Sequence, residues 1–321
     1  AAEQDLLIRV ATAYFDVLTA EDALKFAQAN EQALNRQMEQ AQQRFEVGLS
    51  AITDVNDAKA QHDTSVANVI TAQNTLDDNE EALRQLTNKE PGTLKGLREK
   101  LPMDKPEPAD PDEWVSVAVA QNPTLHSYAQ QLEAAKANVQ TARSGHLPTL
   151  NGQVLYSKTP SWSDNSASSF NEAFHTNSER WSTTVGLTLN VPLFSGGFTQ
   201  SRVRQTIFNR DNAQDQFELQ KRLVERSTRN SYRAVIAGAS QVEATGQAVV
   251  SAQSSLDATQ AGYEVGTRTI VDVLISQQQL LQAQSSYSQA RHAFILNGLR
   301  LKQAAGVIEV KDLEAVNALL E

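Results

Sequence analysis

The chain has few of the residues that build compact, cross-linked domains. None of its 321 residues is cysteine, which excludes disulfides and cysteine metal sites, and only 6% are aromatic, so a thick globular core is not expected. No cluster of Lys and Arg offsets the formal net charge of -10, and an acidic surface repels nucleic acid. Because no run of about 18 apolar residues occurs, no transmembrane helix is predicted.

Four long segments repeat apolar residues at helical spacing. The third runs from about Thr199 to Tyr263 without a proline, and in it an apolar or aromatic residue recurs every seven positions from Val235 onward. Sustained heptads predict coiled-coil packing, and at about 1.5 Å per residue this helix would be roughly 100 Å long. The alternative is a bundle of shorter helices, because Gly238 and Gly246 lower the stability of one continuous helix. Glycine also permits close contact between helices. In the other three segments the same seven-residue spacing separates Leu34 from Ala41, Leu76 from Leu83, and Tyr287 from Phe294.

An internal repeat relates the first two helical segments to the last two. Residues 41–61 align without gaps to residues 259–279, and the same register joins Leu76 to Phe294 and Leu83 to Leu301. Each copy contains a short turn motif, which reads Phe45-Glu46-Val47-Gly48 in the first copy and Tyr263-Glu264-Val265-Gly266 in the second. Glycine often ends a helix in the left-handed conformation, so each copy is predicted to be a helical hairpin.

A proline-rich region separates the repeats. Residues 88–112 hold five of the nine prolines and cannot form one regular helix. A short helix is predicted over residues 112–120. Asn122-Pro123 is typical of an N-cap followed by the first residue of a helix, which we expect to extend to about Ser144.

Two strands are predicted after this helix. From Trp181 to Leu193, apolar and polar residues alternate over thirteen positions, and Leu150 to Tyr156 show a weaker alternation. Thirteen residues span roughly 43 Å, which favours a tilted strand of a membrane barrel; the alternative is a hairpin of a soluble sheet. The polar residues from Ser157 to Arg180 are predicted to form an exposed loop. Two strands cannot close a barrel, so this pattern points to a homo-oligomer.

Several segments resemble recurrent motifs of the TolC family of outer-membrane efflux proteins. They are Asn122-Pro123-Thr124-Leu125, the residues from Gly145 to Leu150 and from Val191 to Gly197, and two longer segments from Gln247 to Ala258 and from Ala261 to Leu274. The resemblance covers essentially the whole chain. It implies that the family's opening is absent, namely a helix, the first pair of strands and the start of the next long helix.

The resemblance implies a mainly α fold. Long coiled-coil hairpins would form an α-helical barrel, and a β-hairpin would contribute to a trimeric outer-membrane β-barrel. The expected domains are a first-repeat hairpin at 1–88, a mixed equatorial region at 89–122, a helix at 123–145, barrel strands with an exposed loop at 146–194, a second-repeat hairpin at 195–305, and an equatorial C-terminal segment at 306–321.

The function that the resemblance implies is a passive export duct across the periplasm and the outer membrane, gated at its periplasmic tip, for efflux and type I secretion. The implied partners are further copies in a homotrimer, a periplasmic adaptor, an inner-membrane transporter and outer-membrane lipid. The alternative is a soluble periplasmic coiled-coil adaptor or structural protein; an adaptor hairpin has no need of a thirteen-residue amphipathic strand. No enzymatic activity, cofactor or metal is expected, because the five histidines are scattered without metal-ligand spacing.

The family pattern places a gate at the hairpin tips. Carried over to this chain, Tyr263 and Arg268 of the second repeat engage Thr53 and Asp54 of the first. An arginine can hold a carboxylate with two parallel hydrogen bonds, which suits a specific and breakable latch. The alternative is that Asp54, like Asp272, is an ordinary N-cap at the start of a helix.

Two further sites are implied at the same tips. Asp272 matches one of two positions of an acidic constriction ring, but the other position is Ile275, so a weaker block by cations is expected. Val47-Gly48-Leu49 and Val265-Gly266-Thr267 match the motifs that contact the adaptor. The alternative for both motifs is a plain turn closed by glycine.

Overall fold

The computed structural model describes residues 2–98, 101–103, 105–164 and 175–321. Within them the chain is mainly helical, as predicted, with one antiparallel pair of strands. The elements in chain order are α1 (Ala2–Glu46), α2 (Ile52–Thr87), α3 (Pro111–Gln121), α4 (Pro123–Ser144), β1 (Thr149–Asp164), β2 (His175–Asn190), α5 (Phe198–Glu264), α6 (Ile270–Ala305) and α7 (Val310–Asn317). They fall into two compact units, Ala1–Ser127 with Leu219–Glu321, and Tyr128–Glu218.

The first unit is built on two helical hairpins. In the hairpin of α1 and α2, the buried core consists of small and branched apolar residues: Ala13, Val17, Ala20, Leu76 and Leu83. In the hairpin of α5 and α6, Leu256, Val273 and Leu280 form the equivalent contact. Burying apolar side chains on facing helix stripes is what the heptads predict, and both long hairpins of the sequence analysis are confirmed.

Glycine allows α5 to approach α6 closely. A Cβ atom on Gly238 would lie 3.4 Å from Cδ2 of Phe294, and Gly246 lies similarly close to an aromatic ring. At the repeat-related positions of the first hairpin, Ala20 packs near Leu76. The two hairpins therefore fill similar space with different pairs of side chains, because a larger residue on one helix is matched by a smaller one on the other. Since α5 is continuous over 67 residues, the alternative of several short helices is wrong.

Side-chain caps start the two helices between the repeats. The Asp112 N–H donates to Oδ1 of Asp110 at 2.9 Å, which begins α3. The N–H groups of Thr124 and Leu125 donate to Oδ1 of Asn122 at 3.0 and 3.1 Å, so the predicted Asn122-Pro123 helix start is confirmed.

The second unit contains the β-hairpin. β1 and β2 pair over sixteen residues each, from Thr149 with Asn190 to Asp164 with His175. The strand predicted to reach Leu193 therefore ends at Asn190. Pro148 would face Val191 in this register, and proline has no N–H to extend the ladder.

The loop predicted from Ser157 to Arg180 is wrong for residues 157–164 and 175–180, which extend the two strands. Residues 165–174 lie outside the described residues. Backbone pairing does not require apolar side chains, and polar cross-strand pairs can stabilise it. One such pair is the ion pair between Lys158 Nζ and Glu179 Oε2 at 2.9 Å.

The hairpin presents one apolar face. Its cross-strand pairs are Leu150 with Leu189, Gly152 with Leu187, and Val154 with Val185. The alternate positions carry polar or small residues, such as Asn151 opposite Thr188. The apolar side chains are 63–76% exposed in the single chain, so the predicted alternation is present and its apolar face is uncovered.

Candidate functional site: the hairpin tips

Both hairpins turn through the same hydrogen-bonded motif. Gly48 and Gly266 follow the ends of α1 and α5 with φ of +77° and +80°. The N–H groups of each turn donate back to the last helical turn: Gly48 to Phe45 O at 2.9 Å, Leu49 to Arg44 O at 2.7 Å, Gly266 to Tyr263 O at 3.1 Å, and Thr267 to Gly262 O at 2.8 Å. This is the Schellman motif, and it requires a left-handed residue. The predicted helix-ending role of both glycines is therefore confirmed.

The turn residues predicted to contact an adaptor are exposed. Val47, Leu49 and Val265 are 69%, 71% and 76% exposed, and Thr267 donates its hydroxyl to the Gly262 carbonyl oxygen at 3.0 Å. Exposed apolar side chains beside a rigid turn are suited to contact another protein. Contact with an adaptor itself stays a prediction.

The second helix of each hairpin starts in a different way. Thr269 is the N-cap of α6 and forms a capping box with Asp272: the Asp272 N–H donates to Thr269 Oγ1 at 3.2 Å, and the Thr269 N–H donates to Asp272 Oδ2 at 2.9 Å. The N-cap of α2 is Ala51, which offers no side-chain acceptor. Asp54 and Asp272 both stand at the third helical position, so the interpretation of these two residues as N-caps is wrong.

Asp272 keeps its negative charge well into the acid range. The hydrogen bonds from the backbone and side chain of Thr269 lower the pKa of its carboxyl below the usual value, and the charge of Arg268 lowers it further. Ile275, at the second ring position, is 49% exposed. The role of Asp272 in a constriction ring stays a prediction.

The predicted gate residues do not bond to one another within the chain. Among the described residues, the side chains of Thr53, Asp54 and Arg268 make neither a hydrogen bond nor an ion pair. The Arg268 side chain instead packs over Gly262, whose Cβ would lie 2.7 Å from Arg268 Cγ. The hydroxyl of Tyr263 is buried without a partner. The gate network remains a prediction about the assembled protein.

A contact that the sequence analysis missed joins the two tips. The guanidinium of Arg44, near the end of α1, lies 4.7 Å from the centroid of the Tyr263 ring near the end of α5. This distance is that of a cation–π contact. Gln37, one heptad before Arg44, is buried, and its Oε1 has no donor. The seven-residue spacing of the polar residues Asn30, Gln37 and Arg44 was the available signal.

The two hairpins meet along a partly polar seam between α1 and α6. Near the tips Leu34 packs against Ile270 and Leu274. Farther along, Ser288 donates to Asp22, and His292 Nδ1 lies 2.7 Å from Oγ1 of Thr19. His292 is only 5% exposed, and this burial lowers the pKa of its imidazole to about 4, with Asp22 acting in the opposite sense.

Neither a metal site nor a membrane-spanning helix occurs in the part of the chain that the structure describes. No three His, Cys, Asp or Glu side chains there come together to hold a metal ion. No helix there is both long and apolar enough to cross a membrane.

Comparison with known proteins gives one consistent family. The model of the family described as outer membrane efflux protein matches residues 1–89 and 114–307. The chain is 40% identical over 319 residues to outer membrane protein TolC of Salmonella enteritidis, which covers 99% of this chain and 64% of that protein. It is 30% identical over 320 residues to alkaline protease secretion protein AprF of Pseudomonas aeruginosa, covering 98% of this chain and 64% of AprF. The chain thus spans 64% of the length of these two relatives.

Solved structures of outer-membrane channels share the fold. The outer membrane protein VceC of Vibrio cholerae superimposes with a TM-score of 0.75 at 19% identity, covering 95% of this chain and 71% of VceC. The CmeC outer membrane channel of Campylobacter jejuni gives a TM-score of 0.74 at 16% identity, covering 100% of this chain and 67% of CmeC.

Proposed function

We propose, since this chain belongs to the outer membrane efflux protein family, that it forms part of a passive export channel in the outer membrane that extends into the periplasm. The observation that carries the proposal is the uncovered apolar face of the β-hairpin, on a chain in which α1 with α2 and α5 with α6 form two long hairpins with matching tips. This arrangement supplies a wall for a duct.

The apolar face would contact outer-membrane lipid. Val185 and Leu187 lie next to each other on this face, and each is about three quarters exposed in the single chain. Covering such side chains with hydrocarbon is favourable by roughly 25 cal/mol for each Å² removed from water. A soluble periplasmic adaptor would have to leave this face in water, which weighs against that alternative.

Barrel closure supports a homotrimer. β1 and β2 pair only with each other in the described chain, so each has one edge of unpaired N–H and C=O groups. Such edges are not tolerated in lipid, and strands from other copies and from further sequence would have to pair with them. Three copies is the number that the family resemblance implies.

The tips would supply the gate and the contacts with partners. Among the described residues of one chain, no hydrogen bond or ion pair joins the side chains of Thr53, Asp54, Tyr263 and Arg268. We therefore propose that their latch forms between neighbouring copies. Three copies of Asp272 would concentrate negative charge at the constriction, and the exposed Val47 and Val265 turns would receive a periplasmic adaptor linked to an inner-membrane transporter. The name of the relative AprF, an alkaline protease secretion protein, suggests proteins as cargo.

Reconstitution tests this function. The full-length protein, purified in detergent, should have the mass of three copies and should produce discrete single-channel currents in a planar lipid bilayer. Small currents at rest are expected because the proposed latch between neighbouring copies would close the tips. A protein that stays soluble without detergent and produces no current would be an adaptor or structural protein, and the channel proposal would then be wrong.

A further inference from the structure

A cleft lies between the two hairpin tips of the first unit. We call it the tip cleft. Its volume is about 330 Å³, which is within the range of small-molecule sites. The wall includes residues of both hairpins: Gln37, Arg44 and Val47 from the first, and Tyr263, Ile270 and Val273 from the second.

Two polar atoms of this wall are buried without a partner. Gln37 is 8% exposed and its Oε1 accepts no hydrogen bond, and the Tyr263 hydroxyl is buried in the same way. Buried polar groups in folded proteins are nearly always hydrogen-bonded, so two such groups in one cleft need an explanation. Oε1 can only accept a hydrogen bond, whereas the hydroxyl can donate one.

The wall also holds an unpaired cation. The guanidinium carbon of Arg44 lies 4.7 Å from the centroid of the Tyr263 ring, and its N–H groups make no hydrogen bond to the described residues. In the described ranges no carboxylate lies within ion-pair distance of Arg44, although exposed Glu264 also borders the cleft. Guanidinium edges bind carboxylates strongly because two parallel hydrogen bonds can form.

We propose that the tip cleft binds a small amphipathic organic acid. Its carboxylate accepts hydrogen bonds from the Arg44 guanidinium and the Tyr263 hydroxyl, and an O–H or N–H group at its other end donates to Gln37 Oε1. Its apolar body lies against Val47, Ile270 and Val273. These three contacts give a partner to Arg44, the Tyr263 hydroxyl and Gln37 Oε1.

Occupancy of the cleft would hold the hairpins together. Because the wall is contributed by both hairpins, an acid bound there stabilises their contact relative to any arrangement that separates them. Only this consequence rests on the proposed channel function, because the binding itself can be measured without any current.

Calorimetric titration of the full-length protein in detergent with 4-hydroxyphenylacetate tests the site. This probe has a carboxylate, an apolar ring and a hydroxyl donor at the far end. We expect one site per copy with a Kd on the order of 1 mM or tighter. 4-Hydroxyphenylacetamide, which lacks the charge, should bind about tenfold more weakly, and phenylacetate, which lacks the donor, about threefold more weakly. No binding, or equal affinity for the three compounds, would overturn the proposal.

Variants locate the binding in the cleft. Arg44→Gln should weaken binding of 4-hydroxyphenylacetate about tenfold or more, and Tyr263→Phe about threefold, because it removes the hydroxyl and keeps the ring. Arg84→Gln is the matched control, since Arg84 lies on α2 and pairs with Glu81 at 3.0 Å; its affinity should equal that of the parent. Equal affinity of the parent and both cleft variants would place the acid elsewhere. If the Arg44→Gln protein does not assemble, the affinity of the Tyr263→Phe protein and the relative affinities of the three probes still test whether the acid binds in the cleft.

Discussion

Acidification should weaken the fold through one buried histidine. His292 lies in the seam between α1 and α6, with its ring 5.6 Å from the Phe15 ring. Thr19 donates its hydroxyl to the Phe15 carbonyl oxygen at 2.7 Å, so the Nδ1–H of His292 must be the donor to Thr19. Burial disfavours the charged form of the ring and lowers its pKa, and the positive charge of Arg291 adds to this effect.

The size of the effect follows from the pKa difference. The pKa of His292 is about 4 in the fold against an ordinary 6.5. A histidine with a depressed pKa contributes stability that is complete above pH 6.5 and is lost as the pH falls toward 4. The full loss is about 3 kcal/mol, of which about 2 kcal/mol is lost between pH 7 and pH 5. Burial raises the pKa of Asp16 and Glu21, so these carboxyl groups act in the opposite sense.

Denaturant unfolding of the full-length protein, followed by circular dichroism at pH 7 and pH 5, measures the loss. His292→Asn keeps a donor for Thr19 and removes the titration, so its free energy of unfolding should fall by about 2 kcal/mol less than that of the parent over this interval. The difference between the two proteins cancels the contribution of the carboxyl groups. His126→Asn, at an exposed histidine, is the control and should behave like the parent. Equal losses in the parent and in His292→Asn would refute the reasoning.

Four other substitutions test the fold and the site. Gly306→Ala should lower the free energy of unfolding by about 2–4 kcal/mol, because Gly306 has φ of +78° and an added Cβ would lie 2.8 Å from Asn122 Cα; a change below about 1 kcal/mol would contradict this. Ala51→Thr should raise the free energy of unfolding by about 1 kcal/mol, because threonine supplies the side-chain N-cap that α2 lacks. An unchanged denaturation midpoint would count against Ala51 as the N-cap position. Asp272→Asn should abolish a preference for cations in reversal-potential measurements with little change in stability; an unchanged preference would reject the acidic ring. Arg268→Ser should raise single-channel conductance, and conductance equal to that of the parent would remove Arg268 from the gate.

Much of the helical architecture could be predicted because it depends on local patterns. The heptads, the turn glycines Gly48 and Gly266 and the Asn122-Pro123 helix start are each encoded within a few residues. The polar ends of β1 and β2 could not be predicted from their own composition, because a paired backbone holds them in place. The contact of Arg44 with Tyr263 was missed because it depends on which hairpin faces which, and apolar heptads do not specify that choice.

The packing within each hairpin differs from the packing between the two hairpins. Within each hairpin the helices bury apolar clusters, such as Val17 with Leu83 in the first. Between them, the seam of α1 with α6 includes the polar contacts of Asp22 and His292 as well as the apolar contact of Leu34 with Ile270 and Leu274. Separating apolar helices exposes their surface to water, whereas a polar pair that separates can exchange its partner for water at a small net cost. A change in the relative position of the hairpins therefore costs less free energy than a change within either one. If the hairpins form the proposed gate, it would open while each of them stays folded.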